Sequence, residues 1–170
     1  VRVGLGALGV LVDVTLRCVP EFMVNAIEKP EPLEGVLEEW EARASAVDHF
    51  EFYWFPHTTS ALTKSNTRMP PGTPRATQNP VAAWIDDELL PNGIYPLLCE
   101  FGMIAPGSVP TMNRVADKLV AARDITDGWH SVFTSPRRVR FREMEYALPV
   151  AAVPEALREV QALIDRENWR

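Results

Sequence analysis

Residues 49–68, HFEFYWFPHTTSALTKSNTR, constrain the fold more than any other stretch of the chain. Phe50, Phe52 and Trp54 fall on one face of a strand by the period of two, and Glu51, Tyr53 and Phe55 fall on the other. Aromatic surface on both faces predicts a strand covered on two sides and therefore central in its sheet. Pro56 ends it, and a polar run follows that holds His57, Lys64, Asn66 and Arg68. That run reads either as a site presented by an apolar strand or as a plain surface loop.

With 170 residues, 46% of them hydrophobic, the chain can bury the core of one ordinary domain, or of one domain and part of another. A net charge of -6 argues against a nucleic-acid surface, which needs a basic face. The basic cluster Arg137, Arg138, Arg140 and Arg142 is followed by Glu143 and Glu145, a pattern of local pairing. Two cysteines, Cys18 and Cys99, set no disulfide framework; they allow one bridge, and free buried thiols of a reducing cytoplasm are the expectation. No apolar run reaches membrane-spanning length. Residues 1–16, VRVGLGALGVLVDVTL, are apolar but carry Asp13 amid alternating residues, unlike a leader peptide. There is no initiator methionine, and the chain is expected to be a piece of a longer protein.

Gly4, Gly6 and Gly9 follow the G-x-G-x-x-G spacing, but a strand pattern follows them where a dinucleotide site needs a helix. Val10 to Val19 alternates as a half-buried strand, and Phe22 to Ile27 reads as a second. Leu33, Val36, Leu37, Trp40, Ala44 and Val47 recur at helical spacing over 32–47. Met69 to Pro80, with its prolines, is a loop, and Asn79-Pro80 opens a helix that Pro91-Asn92-Gly93 should break. A further apolar segment runs to Ile104, and Thr111 opens another helix. Residues 124–136 read as irregular, and 138–149, RVRFREMEYALP, as a strand whose apolar side changes over near Arg142. A last helix carries Val153, Leu157, Val160 and Ile164. The order predicts an α+β fold, an antiparallel split ferredoxin-like sheet with helices on one side, lacking its last strand.

His49, His57 and His130 show no metal-ligand spacing, and no G-x-S-x-G marks a hydrolase. Glu143 and Glu145 lie about 7 Å apart on one strand face, where the neighbouring arginines favour ion pairing over acid–base work.

Three stretches taken together, VGLGALGVLVDVTLRCVP, EFYWFPHTTSALTKSNTR and FTSPRRVRFREMEYALP, resemble the sugar-1,4-lactone oxidoreductases. These are flavoproteins of the vanillyl-alcohol-oxidase type and include D-arabinono-1,4-lactone oxidases and L-gulono-1,4-lactone oxidases and dehydrogenases. The likeness runs along most of the chain and is weakest over 69–80.

The resemblance implies that residues 1–19 end an FAD-binding domain and that 20–170 form a substrate-binding cap, incomplete at both ends. Gly6, Ala7, Leu8, Gly9 and Val10 would pack along the flavin, and Trp54, His57, Lys64 and Arg68 would stand on the substrate side. No catalytic residue is assigned within the chain. The flavin-phosphate loop would lie before Val1, and the Glu-x-Arg substrate strand after Arg170, so the segment alone is expected to be inactive. FAD would take a hydride from a CH–OH carbon of the lactone and pass electrons to oxygen or a redox protein, in a route leading to ascorbate or its five-carbon analogue. A cytoplasmic setting follows, and the resemblance also admits membrane association of the whole protein. The alternative is a non-catalytic α+β binding or assembly module whose aromatic strand is simply core.

Overall fold

The computed structural model describes residues 6–169. Its centre is a four-stranded antiparallel sheet of β1 (Met23–Pro32), β2 (His49–Trp54), β3 (Ser60–Met69) and β4 (Arg123–Gly128), in the order β2-β3-β1-β4. The β1–β2 crossover carries α1 (Leu33–Glu38) and α2 (Trp40–Ala46). The β3–β4 crossover carries α3 (Pro80–Trp84), α4 (Tyr95–Ile104) and α5 (Val109–Leu119). Short α6 (Trp129–Phe133) and the longer α7 (Val153–Arg166) follow β4. Two interlocked β-α-β units of this order are the split ferredoxin-like arrangement. The expectation of a missing last strand is corrected, because β4 supplies it from residues that read as irregular in sequence.

Three further expectations fail for related reasons. β2 is an edge strand, not a central one; its burial nonetheless alternates, with Phe50, Phe52 and Trp54 half-buried and His49, Glu51 and Tyr53 exposed. The polar run after Pro56 is not a loop beyond Thr59 but β3, which lies between β2 and β1. Residues 10–19 and 138–149 both alternate, yet neither pairs with another strand among the described residues, and both lie largely exposed. Accordingly Cys18 is exposed and Cys99 half-buried, both free, where buried thiols were expected.

Pro91-Asn92-Gly93 does not break its helix. A π-helical stretch, Ile85–Ile94, joins α3 to α4, and the Tyr95 N–H donates to the Leu90 carbonyl five residues back. The wider turn accommodates a proline that has no N–H of its own and would clash in a tighter one. The start of the helix agrees with its sequence signal: the Asn79 side chain accepts from the Val81 N–H at 2.8 Å. No helix among the described residues is long and apolar enough to cross a membrane.

The core lies on the sheet face carrying Phe50, Phe52 and Trp54. Leu33, Leu37 and Ala61 are buried there, with Phe52, Trp54 and Leu157 packed against them. Trp40 of α2 lies 5.5 Å from the Phe50 ring and 5.4 Å from that of Phe52, centroid to centroid. The rim is tied by Arg43, which holds Glu31 at 2.9 Å and Glu39 at 2.8 Å, while the Thr63 hydroxyl donates to Glu31 at 2.7 Å.

Burial alone would raise the pKa of Glu31, but hydrogen bonds from Thr63, Arg43 and Lys29, together with the Arg43 charge, outweigh it and hold the carboxyl below the ordinary glutamate value. A depressed carboxylate stabilises the fold above its unfolded pKa, and that stabilisation is lost as pH falls through the lower folded value. Urea unfolding midpoints should therefore decline as pH drops below about 4.5. Glu31→Gln should make that decline shallower. An unchanged pH dependence in the variant would refute the assignment.

Candidate functional site

The opposite face of the sheet is built differently. Pairing register places Glu51, Lys64, Glu28 and Arg123 in one row across all four strands, so that the charges alternate from edge to edge. Glu28 is the keystone of that row, with Lys64 Nζ at 3.3 Å and Arg123 Nη2 at 2.9 Å. Arg123 also reaches Asp87 at 3.2 Å. Burial disfavours the Arg123 charge, but Glu28 and then Asp87 more than restore it, raising its pKa above the ordinary arginine value. The next row along the strands runs His49, Asn66, Ala26 and Ile125.

Between these rows and the chain passing over them lies a cavity of about 200 Å³. Glu28, Glu51, Tyr53, Lys64 and Asn66 line its floor, and Phe133 and Arg137 are among the residues lining it from α6 and the chain beyond. The Phe133 ring packs edge-on against His49 at 5.3 Å, which seats α6 over β2. Asn92 accepts from the Arg138 N–H at 2.9 Å and donates to the Pro136 carbonyl at 2.9 Å. The π-helical stretch thereby pins the chain beside Arg137. Arg138 itself pairs with Glu88, and among the described residues neither Glu143 nor Glu145 has an ion partner, so the expected local pairing does not form.

The residues singled out in sequence are dispersed. Lys64 lines the cavity, with its ammonium 5.3 Å from the Tyr53 ring centroid. Arg68 sits on the same face of β3, exposed, with its guanidinium 4.6 Å from the Phe22 ring. Trp54 points to the helical face, where its indole N–H donates to the Thr58 carbonyl at 3.0 Å. His57 occupies the β2–β3 turn with φ 68°, and its Nε2 lies 3.0 Å from the Trp169 carbonyl oxygen. Glu28, Tyr53 and Arg123 were missed as site residues, and Asn66 was noted only as part of the polar run, because positions so far apart in sequence meet only through the strand order. The alternation of Leu62, Lys64, Asn66 and Arg68 was the available signal.

Gly6 to Val10 form a turn in which the Gly9 N–H approaches the Gly6 carbonyl at 3.4 Å. Gly6 has φ 80° and Gly9 φ 121°, and a Cβ built at either would meet nothing within 4 Å. Leu8 and Val10 are exposed beside them. Both φ values lie in the region that favours glycine, so the turn depends on these two residues. No group of three or more His, Cys, Asp or Glu residues able to hold a metal ion forms among the described residues.

Residues 14–170 match the family model described as ALO, D-arabinono-1,4-lactone oxidase. The chain is 35% identical over 169 residues to the L-gulono-1,4-lactone dehydrogenase of Mycobacterium tuberculosis, covering 98% of this chain and 38% of that protein. It is 29% identical over 168 residues to the L-gulonolactone oxidase of Bos taurus, covering 96% of this chain and 37% of that protein. A shorter match, 29% over 73 residues, covers 42% of this chain and 14% of the D-arabinono-1,4-lactone oxidase of Yarrowia lipolytica. The chain thus spans little more than a third of the length of the relatives it matches along its whole extent.

Proposed function

The chain belongs to the D-arabinono-1,4-lactone oxidase family, and from that membership we propose that it is the substrate-side part of an FAD-dependent enzyme oxidising a CH–OH group of a sugar-1,4-lactone. The observation that carries the reading is the family match over residues 14–170, which takes in the cavity-bearing sheet entire. The reaction is proposed for a protein of the relatives' length, to which residues 20–170 contribute the cap and 1–19 a border of the flavin domain. Gly6, Ala7, Leu8, Gly9 and Val10 would lie along the flavin. When bound, that group supplies the hydride acceptor and hands electrons on to oxygen or another acceptor.

In this proposal the lactone approaches the face that carries Lys64 and Arg68. The opposite face is filled by α1, α2 and α7 and offers no room for substrate. Ordered donors and acceptors on a stiff sheet would hold the sugar so that one C–H bond points at its acceptor.

Purified full-length protein should show the yellow absorption of oxidised flavin. Anaerobic addition of L-gulono-1,4-lactone or D-arabinono-1,4-lactone should bleach it. A colourless protein, or one whose absorption neither lactone alters, would overturn the proposal.

A further inference from the structure

Of the polar residues that line the cavity, Asn66 is the buried one. It is only 6% exposed, lines the cavity floor, and its amide makes no hydrogen bond among the described residues. Yet its polar atoms are not sealed in like Arg123 Nε, which is buried with no partner. Asn66 lines the cavity, so a guest bound there lies beside it. An amide that gives up water without gaining a protein partner costs free energy, which a ligand can return. Asn66 also sits on β3, an internal strand of the sheet.

The lining limits the ligand's chemistry. Glu28 and Glu51 carry two negative charges, and Lys64 and Arg137 two positive ones, so a strongly charged guest gains no net attraction. Donors (Lys64, Arg137, the Asn66 NH₂) and acceptors (both carboxylates, the Asn66 carbonyl) are interleaved within one small space. That suits groups which donate and accept at the same atom, as hydroxyls do. A volume of about 200 Å³ admits a short polyol chain or one small sugar ring.

We propose that the cavity is a hydroxyl-recognition subsite in which Asn66, flanked by Tyr53, Lys64 and Glu51, binds the hydroxylated side chain of a neutral sugar lactone. The inference rests on the function proposed above for the lactone and FAD. It assigns the cavity to recognition of the part of the substrate that does not react, so Asn66 acts on specificity and not on the chemical step.

The test uses the full-length protein with L-gulono-1,4-lactone and with the analogue lacking its terminal hydroxyl. Asn66→Ala should raise KM for the parent lactone about tenfold, the worth of one or two neutral hydrogen bonds, and leave kcat within about twofold. Wild-type protein should discriminate against the deoxy analogue by a similar factor, and Asn66→Ala should not. That loss of coupling is a result a merely structural role would not give. Tyr53→Phe, at a half-exposed edge position, removes one hydroxyl without opening the fold and should weaken lactone binding severalfold if Asn66→Ala does not fold. Binding of each lactone is measured by calorimetry beside turnover. Turnover intact with KM and discrimination unchanged in both variants would overturn the subsite and leave the proposed reaction standing. Asn66-dependent binding of the neutral lactone without any flavin bleaching would overturn the reaction and support the subsite. Absence of both binding and turnover would overturn both.

Discussion

Leu37→Ala is expected to destabilise the domain by about 3 kcal/mol. Leu37 is 3% exposed and packs with Leu33 and Ala61 beneath Phe52, Trp54 and Leu157. Losing its three outer carbons forfeits roughly 2.4 kcal/mol of transfer free energy at about 0.8 kcal/mol per carbon. The rest comes from a hole that the sheet on one side and α7 on the other cannot close. Only seven apolar residues are buried among those described, so the loss is a large share of a stability typically about 5–15 kcal/mol. Urea unfolding should show a lower midpoint with an unchanged slope. Leu119→Ala, at a side chain 77% exposed, is the control and should stay within about 0.5 kcal/mol. Near-equal midpoints for the two variants would mean that the cluster under α1 is not the core.

The second large effect belongs to Glu28. Its side chain is 14% exposed and that of Arg123 17%, so the pair is largely dry. Removing the carboxylate leaves Arg123 with Asp87, which is 54% exposed and held at 3.2 Å, and with an Nε that already lacks a partner. An uncompensated charge in such a place costs more than the pair contributed, and Glu28→Ala should lose about 2–3 kcal/mol. The double variant Glu28→Ala with Arg123→Met should recover part of that loss, since it removes the stranded charge as well. Arg158→Ala, which breaks the exposed 2.8 Å pair with Glu34, should cost no more than about 0.5 kcal/mol. Additive losses in the double variant would show that Glu28 and Arg123 do not act as a pair.

The sequence was informative about faces and poor about partners. Alternation in 49–54 assigned Phe50, Phe52 and Trp54 to the side that α1 and α2 cover, and the helical spacing picked out Leu33 and Leu37, which pack with Phe52 and Trp54, and Trp40, which meets Phe50. Position within the sheet was not legible, because it depends on which strand lies alongside. β3 looked like a loop since one of its faces is a charged row and the other is made of Ala61, Thr63 and Ser65. Neither face resembles an apolar core, although Thr63 is 1% exposed. β4, with the sequence RDITDG, has little strand propensity and exists through its pairing to β1. The reverse error occurred at 10–19 and 138–149, where strong alternation meets no partner strand among the described residues. The candidate site was hidden for the same reason: positions 28, 64 and 123 come together only once the strand order is known.

The pairing of β1 with β4 has a consequence for synthesis. Asn25 and Thr126 hydrogen-bond across 101 positions of chain, so β1 emerges from a ribosome long before the strand that covers its edge. At about 5–20 residues per second the interval is roughly 5–20 s. Throughout it, one side of β1 offers unpaired N–H and C=O groups beside Val24 and Ala26, the kind of edge to which a second nascent copy can add. The charged residues Glu28 and Lys29 lie on that strand while it waits and oppose such pairing. Glu28, the centre of the later ion-pair row, thus stands as a charge on an uncovered strand edge before its partner Arg123 is made.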